Sequence, residues 1–249
     1  MPRRTSIIPC AVLAALLPVP GPAVAGLDEV PDLVLWAWER PEDLRFIDPA
    51  STAVAVLTGT LFLDGDDVRW RPRLQPLRLP EGTRRIAVVH VHLGRTRPAA
   101  DGAQRSAVLD RLAAEAGRPG IAALQVDFEA PPSLRPFYSA VLHELRPRLP
   151  AGLPVSITAL ASWCLTERWT AELPVDEVVP MLFRMGPAGI AIRARLADGG
   201  DLTRVECRGS VGVALDEPFP PLRPGRRVYA FTPRPWTEAA YRATLKALP

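Results

Sequence analysis

In the stretch LQVDFEAPP, residues 124–132, Gln125, Asp127 and Glu129 alternate with Leu124, Val126 and Phe128. Successive side chains of a strand point to opposite faces, so the two carboxylates share one face, with their α-carbons roughly 6–7 Å apart. That spacing suits an acid and its helper. One carboxyl, kept protonated, gives its proton to a leaving oxygen while the neighbouring anion holds and orients it, as glycoside chemistry requires. Glu129 is the candidate general acid and Asp127 its partner, with Gln125 as a further polar contact. The rival reading is a pair of rim carboxylates tied to Arg184 or to a backbone amide. Charges buried without partners cost on the order of several kcal/mol, which favours a functional reading.

Eight apolar segments could position such residues: 33–39, 52–63, 85–93, 122–129, 155–162, 177–183, 209–215 and 227–232. Helical patterns fall at 104–117, 133–149, 166–173, 186–199 and 236–248, with Ser133 and Thr237 as N-caps and Gly117 and Gly199 as stops. Strands alternating with helices predict an α/β fold with a parallel sheet, and eight of them predict a closed (β/α)8 TIM-like barrel. It is short or irregular around 61–80, where Asp64-Gly65 predicts a hairpin instead of a helix. An open α/β sheet is the alternative. In a barrel the face bearing Asp127 and Glu129 points into the lumen, with Glu129 nearest the C-terminal mouth. Ser156, Thr158 and Ser162 share one parity on the next strand, and Thr158 joins the candidate site.

Other groups at predicted strand ends could line that mouth. Trp36, Trp38, Trp163 and Trp236 offer flat faces for sugar rings, although each is equally a core residue, and Trp169 reads as helix packing. Trp38, Trp163, Glu39, Arg184 and Asp216 are taken as binding candidates. His90 and His92 share a face of the third strand, and His92 is the one expected to contact a substrate or Asp127. With His143 in a helical run, no third ligand completes a zinc set, so no metal and no cofactor are expected; a metal-dependent deacetylase is the minor alternative. No GxSxG elbow, phosphate-cradling loop or dinucleotide fingerprint occurs.

The chain opens with MPRR, an apolar run and GPAVA, the layout of a secretory leader over residues 1–25, with an uncleaved anchor as the rival. Cys10 lacks the context of a lipid-attached cysteine. Residues 26–249 then form one domain, expected in the periplasm or outside the cell without a membrane span. Taking Arg3 and Arg4 from the 30 basic residues leaves 28 against 27 acids, so the exported form is near neutral and no nucleic acid is expected as partner. The 29 prolines scatter between apolar runs, as in stiff loops on a folded domain. Cys164 and Cys207 are expected to pair in an oxidising compartment, the alternative being two buried thiols.

The segment AALQVDFEA resembles the fourth-strand motif D-x-x-D-x-D-x-E of chitinase-type (family 18) glycoside hydrolases, and PMLFRMG, 180–186, stands where that family has a Met-x-Tyr-Asp strand. The run from LWAWERPEDLRF through LQVDFEAP, ITALASWCL and LPVDEVVPMLFRMG to RVYAFTPRPW is similar to a bacterial exported family, domain of unknown function 3142. That second resemblance covers most of the chain after the leader. The second resemblance implies a glycosidase-like barrel and brings no established reaction; the first implies Glu129 as acid and Asp127 as its partner, which in that family helps position the sugar's acetamido group. The expected function is a glycoside-hydrolase-like action on a saccharide or cell-envelope glycan. Ala122 and Gln125 replace the motif's first two aspartates, Phe183 its tyrosine and Arg184 its following aspartate. A barrel that binds polysaccharide without cleaving it is the alternative.

Overall fold

The computed structural model describes residues 26–248, so the expected leader, with Cys10, lies outside the described residues. Eight strands run parallel, each beside the next in sequence: β1 (Leu33–Ala37), β2 (Thr52–Asp64), β3 (Arg85–Leu93), β4 (Ile121–Asp127), β5 (Val155–Leu160), β6 (Glu177–Met181), β7 (Ser210–Ala214) and β8 (Arg227–Phe231). Leu33 of β1 pairs with Thr52 on one side and Val228 on the other, so the sheet closes on itself. Every strand starts within one residue of the segment expected from the sequence. Six stop one or two residues early, because the last residues of each apolar run leave the hydrogen-bonded ladder and turn into the loops of the barrel mouth.

Five helices stand around the barrel: α1 (Gly102–Ala116), α2 (Arg135–Leu145), α3 (Trp163–Thr166), α4 (Gly189–Ala197) and α5 (Glu238–Ala247). The Asp101 side chain caps α1 by accepting from the Gln104 amide, and Thr237 caps α5 by accepting from the Ala240 amide. No helix joins β1 to β2, β2 to β3 or β7 to β8, so the alternation of strand and helix is less regular than the sequence predicts. Between β2 and β3 the chain folds back as an antiparallel strand, Asp67–Pro72, through a turn with Gly65 at φ +58°, as expected from Asp64-Gly65. Between β7 and β8 the prolines of DEPFPPLRPGR remove the amide donors a helix would need.

Three helix expectations need correction. Ser133 is not a cap, because it sits inside a 3-10 turn, Pro132–Leu134, and α2 begins only at Arg135. The α ladder stops at Leu145, where Pro147 supplies no N–H and the chain tightens into a second 3-10 turn. The run 166–173 shrinks to the single turn of α3 followed by a 3-10 turn at Trp169–Glu172.

Strand alternation divides the core. Residues such as Leu124, Val126, Ile157 and Val178 face outward and pack with Leu109, Leu112, Tyr138 and Leu142 beneath the helices. A second outer cluster gathers Leu35, Val54, Val213 and Tyr241. The opposite parity, including Val34, Trp36, Ala55, Val88, Val179 and Tyr229, fills the lumen.

Cys164 of α3 and Cys207, just before β7, form a disulfide with α-carbons 5.9 Å apart and a sequence separation of 43. Closing a loop of that length restricts the unfolded chain by about 4 kcal/mol. The double variant Cys164→Ala/Cys207→Ala is therefore expected to lose stability of that order. A urea midpoint unchanged from wild type would show that the link contributes nothing.

Candidate functional site

The last ladder pair between β3 and β4 joins His90 to Asp127. Beyond it Phe128 is buried and packs edge-on against Tyr138, ring centroids 5.1 Å apart, which fixes the roll of the chain and turns Glu129 to the rim. Asp127 lies one step deeper and is buried. Its two oxygens are separately held: Oδ1 accepts from the Thr158 hydroxyl at 2.6 Å and Oδ2 from His90 Nδ1 at 2.7 Å.

These groups open onto a cavity of about 480 Å³ at the end where the strands finish, lined by Asp127, Glu129, His90, Thr158, Trp36, Trp38, Phe183, Phe231 and Arg184, among others. That volume falls within the range of roughly 300–1,000 Å³ common to small-molecule sites. One wall is aromatic. Phe183 and Phe231 stack with centroids 5.8 Å apart at 11°, and Trp38 meets Phe231 edge-on at 6.2 Å. Trp36 closes the floor, donating from Nε1 to Gln125 Oε1 at 2.8 Å. The indole fits because β7 carries Gly212 opposite it; a Cβ there would lie 2.7 Å from the Trp36 ring.

Glu129 is exposed at the rim, yet partial desolvation there raises its pKa, the charge of Asp127 raises it further, and His90 opposes the rise. For His90 burial alone would lower the pKa, but the hydrogen bond and charge of Asp127, with the charge of Glu129, outweigh it and raise the imidazole above its ordinary 6.5. The stabilisation that accompanies this shift is complete below the unfolded value and fades as pH rises through the folded one. An NMR titration is expected to place His90 above 6.5, and Asp127→Asn to bring it down. Equal titration in both proteins would show that the carboxylate does not hold the imidazolium.

Arg184 adopts the left-handed conformation, φ +51°, while its amide donates to both Glu217 oxygens at 3.2 and 3.1 Å. A non-glycine residue there is uncommon, and such strain tends to gather at functional sites. The guanidinium lies 5.3 Å from the Phe231 ring centroid.

The structure brings Asp127, Glu129, Thr158, Trp38 and Arg184 together at this cavity, and it leaves other sequence candidates outside the lining. Gln125 is 0% exposed and spent on internal bonds, accepting from Trp36 and donating to Ser156 Oγ at 3.1 Å. Glu39 pairs with Arg71 at 2.7 Å. Trp163 is 1% exposed in the outer core and packs edge-on against Trp169 at 4.7 Å, because the chain enters α3 directly after Ser162. Trp236 is likewise buried, donating from its indole to the Trp36 carbonyl. Asp216 is exposed in the loop after β7, and His92 is exposed beside the hairpin, its ring 5.2 Å from Phe62. His143 is exposed on α2, its Nδ1 bonded to the Ser139 carbonyl. Among the described residues no three His, Cys, Asp or Glu side chains are grouped as a metal site.

Phe231 was not among the sequence candidates, although it shares the inward parity of Arg227 and Tyr229. A second arrangement, at the opposite end of the lumen, also escaped sequence reasoning. Glu177, at the start of β6, accepts from Ser156 Oγ (2.7 Å), Ser210 Oγ (2.5 Å), Tyr229 Oη (2.6 Å) and Arg227 (2.7 Å). Burial, then the charge of Glu177, holds the Tyr229 phenol far above its ordinary pKa, so it remains a donor. The signal was a lone glutamate opening an otherwise apolar strand.

No helix among the described residues is long and apolar enough to cross a membrane. In comparisons with known proteins, no protein-family model, no curated protein and no solved structure matches this chain.

Proposed function

We propose that this chain is an exported barrel of the (β/α)8 type whose C-terminal mouth holds a saccharide and cleaves a glycosidic bond, with Glu129 as general acid and Asp127 as its partner. The observation that carries the reading is the joint position of the two carboxylates: a rim acid whose pKa is pushed up, above a buried acid fixed by two hydrogen bonds, in an aromatic-walled cavity. Glu129, protonated, transfers its proton to the glycosidic oxygen as the bond from that oxygen to the anomeric carbon breaks. The positive charge that develops on the sugar is stabilised by Asp127, whose field is strong because little water surrounds it. Trp38, Phe183 and Phe231 offer flat apolar surfaces to the ring. Among the described residues the lining contains only these two carboxylates. Both oxygens of Asp127 are engaged by Thr158 and His90, so the reading assigns the attack on the anomeric carbon to a water molecule or an oxygen of the substrate itself.

The resemblance of the fourth strand to chitinase-type hydrolases supports the same assignment. Export fits as well, since a disulfide such as Cys164–Cys207 persists in oxidising compartments. The second reading, a barrel that binds glycan without cleaving it, is favoured by the lack of any lining acid beyond the β4 pair and by Phe183 and Arg184 in place of the motif's hydroxyl and carboxylate. Incubation with a panel of soluble and cell-envelope glycans, with released reducing ends and bound saccharide both measured, separates the two. Turnover of at least one glycan is expected. Binding without turnover would select the second reading, and neither would overturn both.

A further inference from the structure

The geometry points to a second saccharide-binding subsite, in the groove between the Asp64–Gly65 hairpin and the end of β3, that takes the continuation of an uncharged chain whose reacting unit lies beside Glu129. This inference rests on the proposed reading of the Glu129 cavity and extends it from a single sugar to a polymer.

A line of rings joins the two places. From Phe231 on the cavity wall, Trp38, His90, His92 and Phe62 follow with centroid separations of 6.2, 5.9, 6.0 and 5.2 Å. None of the five is buried. Steps of this size are comparable to the rise of one sugar along an extended polysaccharide; Trp38 and Phe231 offer apolar surface to the C–H face of a sugar, and the two histidines continue the line with polar ring nitrogens. The line follows from strand register. A bulge between Leu57 and Gly59 lets β2 continue past the barrel with Thr60 opposite His90 and Phe62 opposite His92. Leu61 and Leu63 then pack in the outer core beneath α1, leaving Phe62 on the other face. Without the bulge Phe62 would fall on the parity that packs under the helices.

The groove at the far end measures about 600 Å³, and its polar lining is Asp64, Asp67, Arg69, His92 and Arg95 around the Phe62 ring. The Arg69 and Arg71 guanidinium groups lie over the Phe62 ring, 4.2 and 5.2 Å from its centroid, so the ring is the support on which the guanidinium planes are held, and it is these planes, with their N–H donors, that face a sugar at this end. Two guanidinium groups and two carboxylates leave the groove without a dominant charge. Such a set suits hydroxyls, which accept from arginine and donate to aspartate, and it disfavours a phosphate chain or a run of uronates, which the two aspartates would repel. His92, Arg69 and the hairpin itself have no part in the chemistry at Glu129, so a distal subsite gives the long β2 a use that the reaction does not.

The test measures tryptophan fluorescence on titration of the full-length protein with oligosaccharides of three and of seven units, in β-1,4-glucose, β-1,4-N-acetylglucosamine and α-1,4-glucose series. In at least one series the heptamer is expected to bind at least about tenfold more tightly than the trimer, a gain of the size one or two stacked rings provide. Phe62→Ala and, separately, the exposed Arg69→Ala are each expected to erase most of that gain. Equal affinity for trimer and heptamer in the wild type, or equal weakening of both by the variants, would overturn the distal subsite while leaving the Glu129 cavity standing. Failure of every series at both lengths would overturn the two together.

Discussion

With Glu129 as the proposed general acid, Glu129→Gln is expected to lower kcat on any glycan the wild type cleaves by about 10²–10⁴-fold, the usual share of such a group, while saccharide binding persists. The amide keeps the shape of the side chain and cannot release a proton to the leaving oxygen. The pH profile carries a second signature. On the proposed reading Glu129 acts protonated, so rate is lost as pH rises through its pKa, and the upward shift extends the active range beyond that of an ordinary carboxyl. Partial desolvation is the larger cause of that shift and the charge of Asp127 the next. Asp127→Asn removes the second cause and is expected to move the alkaline limb toward lower pH, beyond any loss in rate. Initial rates across pH, with calorimetric titration of binding, distinguish these effects. Undiminished turnover in Glu129→Gln would end the assignment of Glu129 as acid, whatever the site binds.

Both carboxylates were legible in the sequence because strand alternation is a local property: Leu124, Val126 and Phe128 had to face one way, and Asp127 and Glu129 therefore faced the other. The eight strand starts were legible for the same reason. What the sequence could not convey is where each chain leaves its ladder. Trp163 looked like the end of a strand, yet β5 stops at Leu160 and the turn at Ser162 carries the indole back under the helices. Trp36 was equally ambiguous, and its lumenal place depends on Gly212, a residue 176 positions away that leaves room for the ring. The separation of His90 from His92 belongs here too. One parity put them together, but only the pairing of His90 with Asp127 and of His92 with Phe62 assigns one to the cavity and the other to the hairpin.

Glu177→Leu is expected to be the most damaging single substitution away from the cavity. Glu177 and Arg227 form an ion pair at 2.7 Å with both side chains largely out of solvent, and three hydroxyls converge on the same carboxylate. Removing one member of a buried pair costs about 3–5 kcal/mol, since the remaining charge stays desolvated without a partner. Against a total stability of about 5–15 kcal/mol that is a large share, and for a chain of this size it corresponds to a fall in Tm on the order of 10 °C. Glu177→Gln is expected to cost less, because the amide oxygen still accepts from the hydroxyls while the charge opposite Arg227 is lost. The double variant Glu177→Leu/Arg227→Leu separates charge from anchoring. If the stranded guanidinium is the main cost, the double variant is more stable than Glu177→Leu alone. Recovery should be incomplete, since Arg227 also donates to the carbonyls of Leu27 and Val30 and ties the segment before β1 across the base of the barrel. Urea midpoints of the four proteins decide the matter: a Glu177→Leu midpoint within about 1 kcal/mol of wild type would mean that water reaches the hub and the pair is screened. The same comparison bears on the cavity, because β6 and β8, which carry Glu177 and Arg227 at their starts, deliver Phe183 and Phe231 at their ends. Loosening the base is expected to blur the stacking of those two rings before it touches the β4 carboxylates, so binding should weaken at temperatures where the pH profile of the folded protein is still intact.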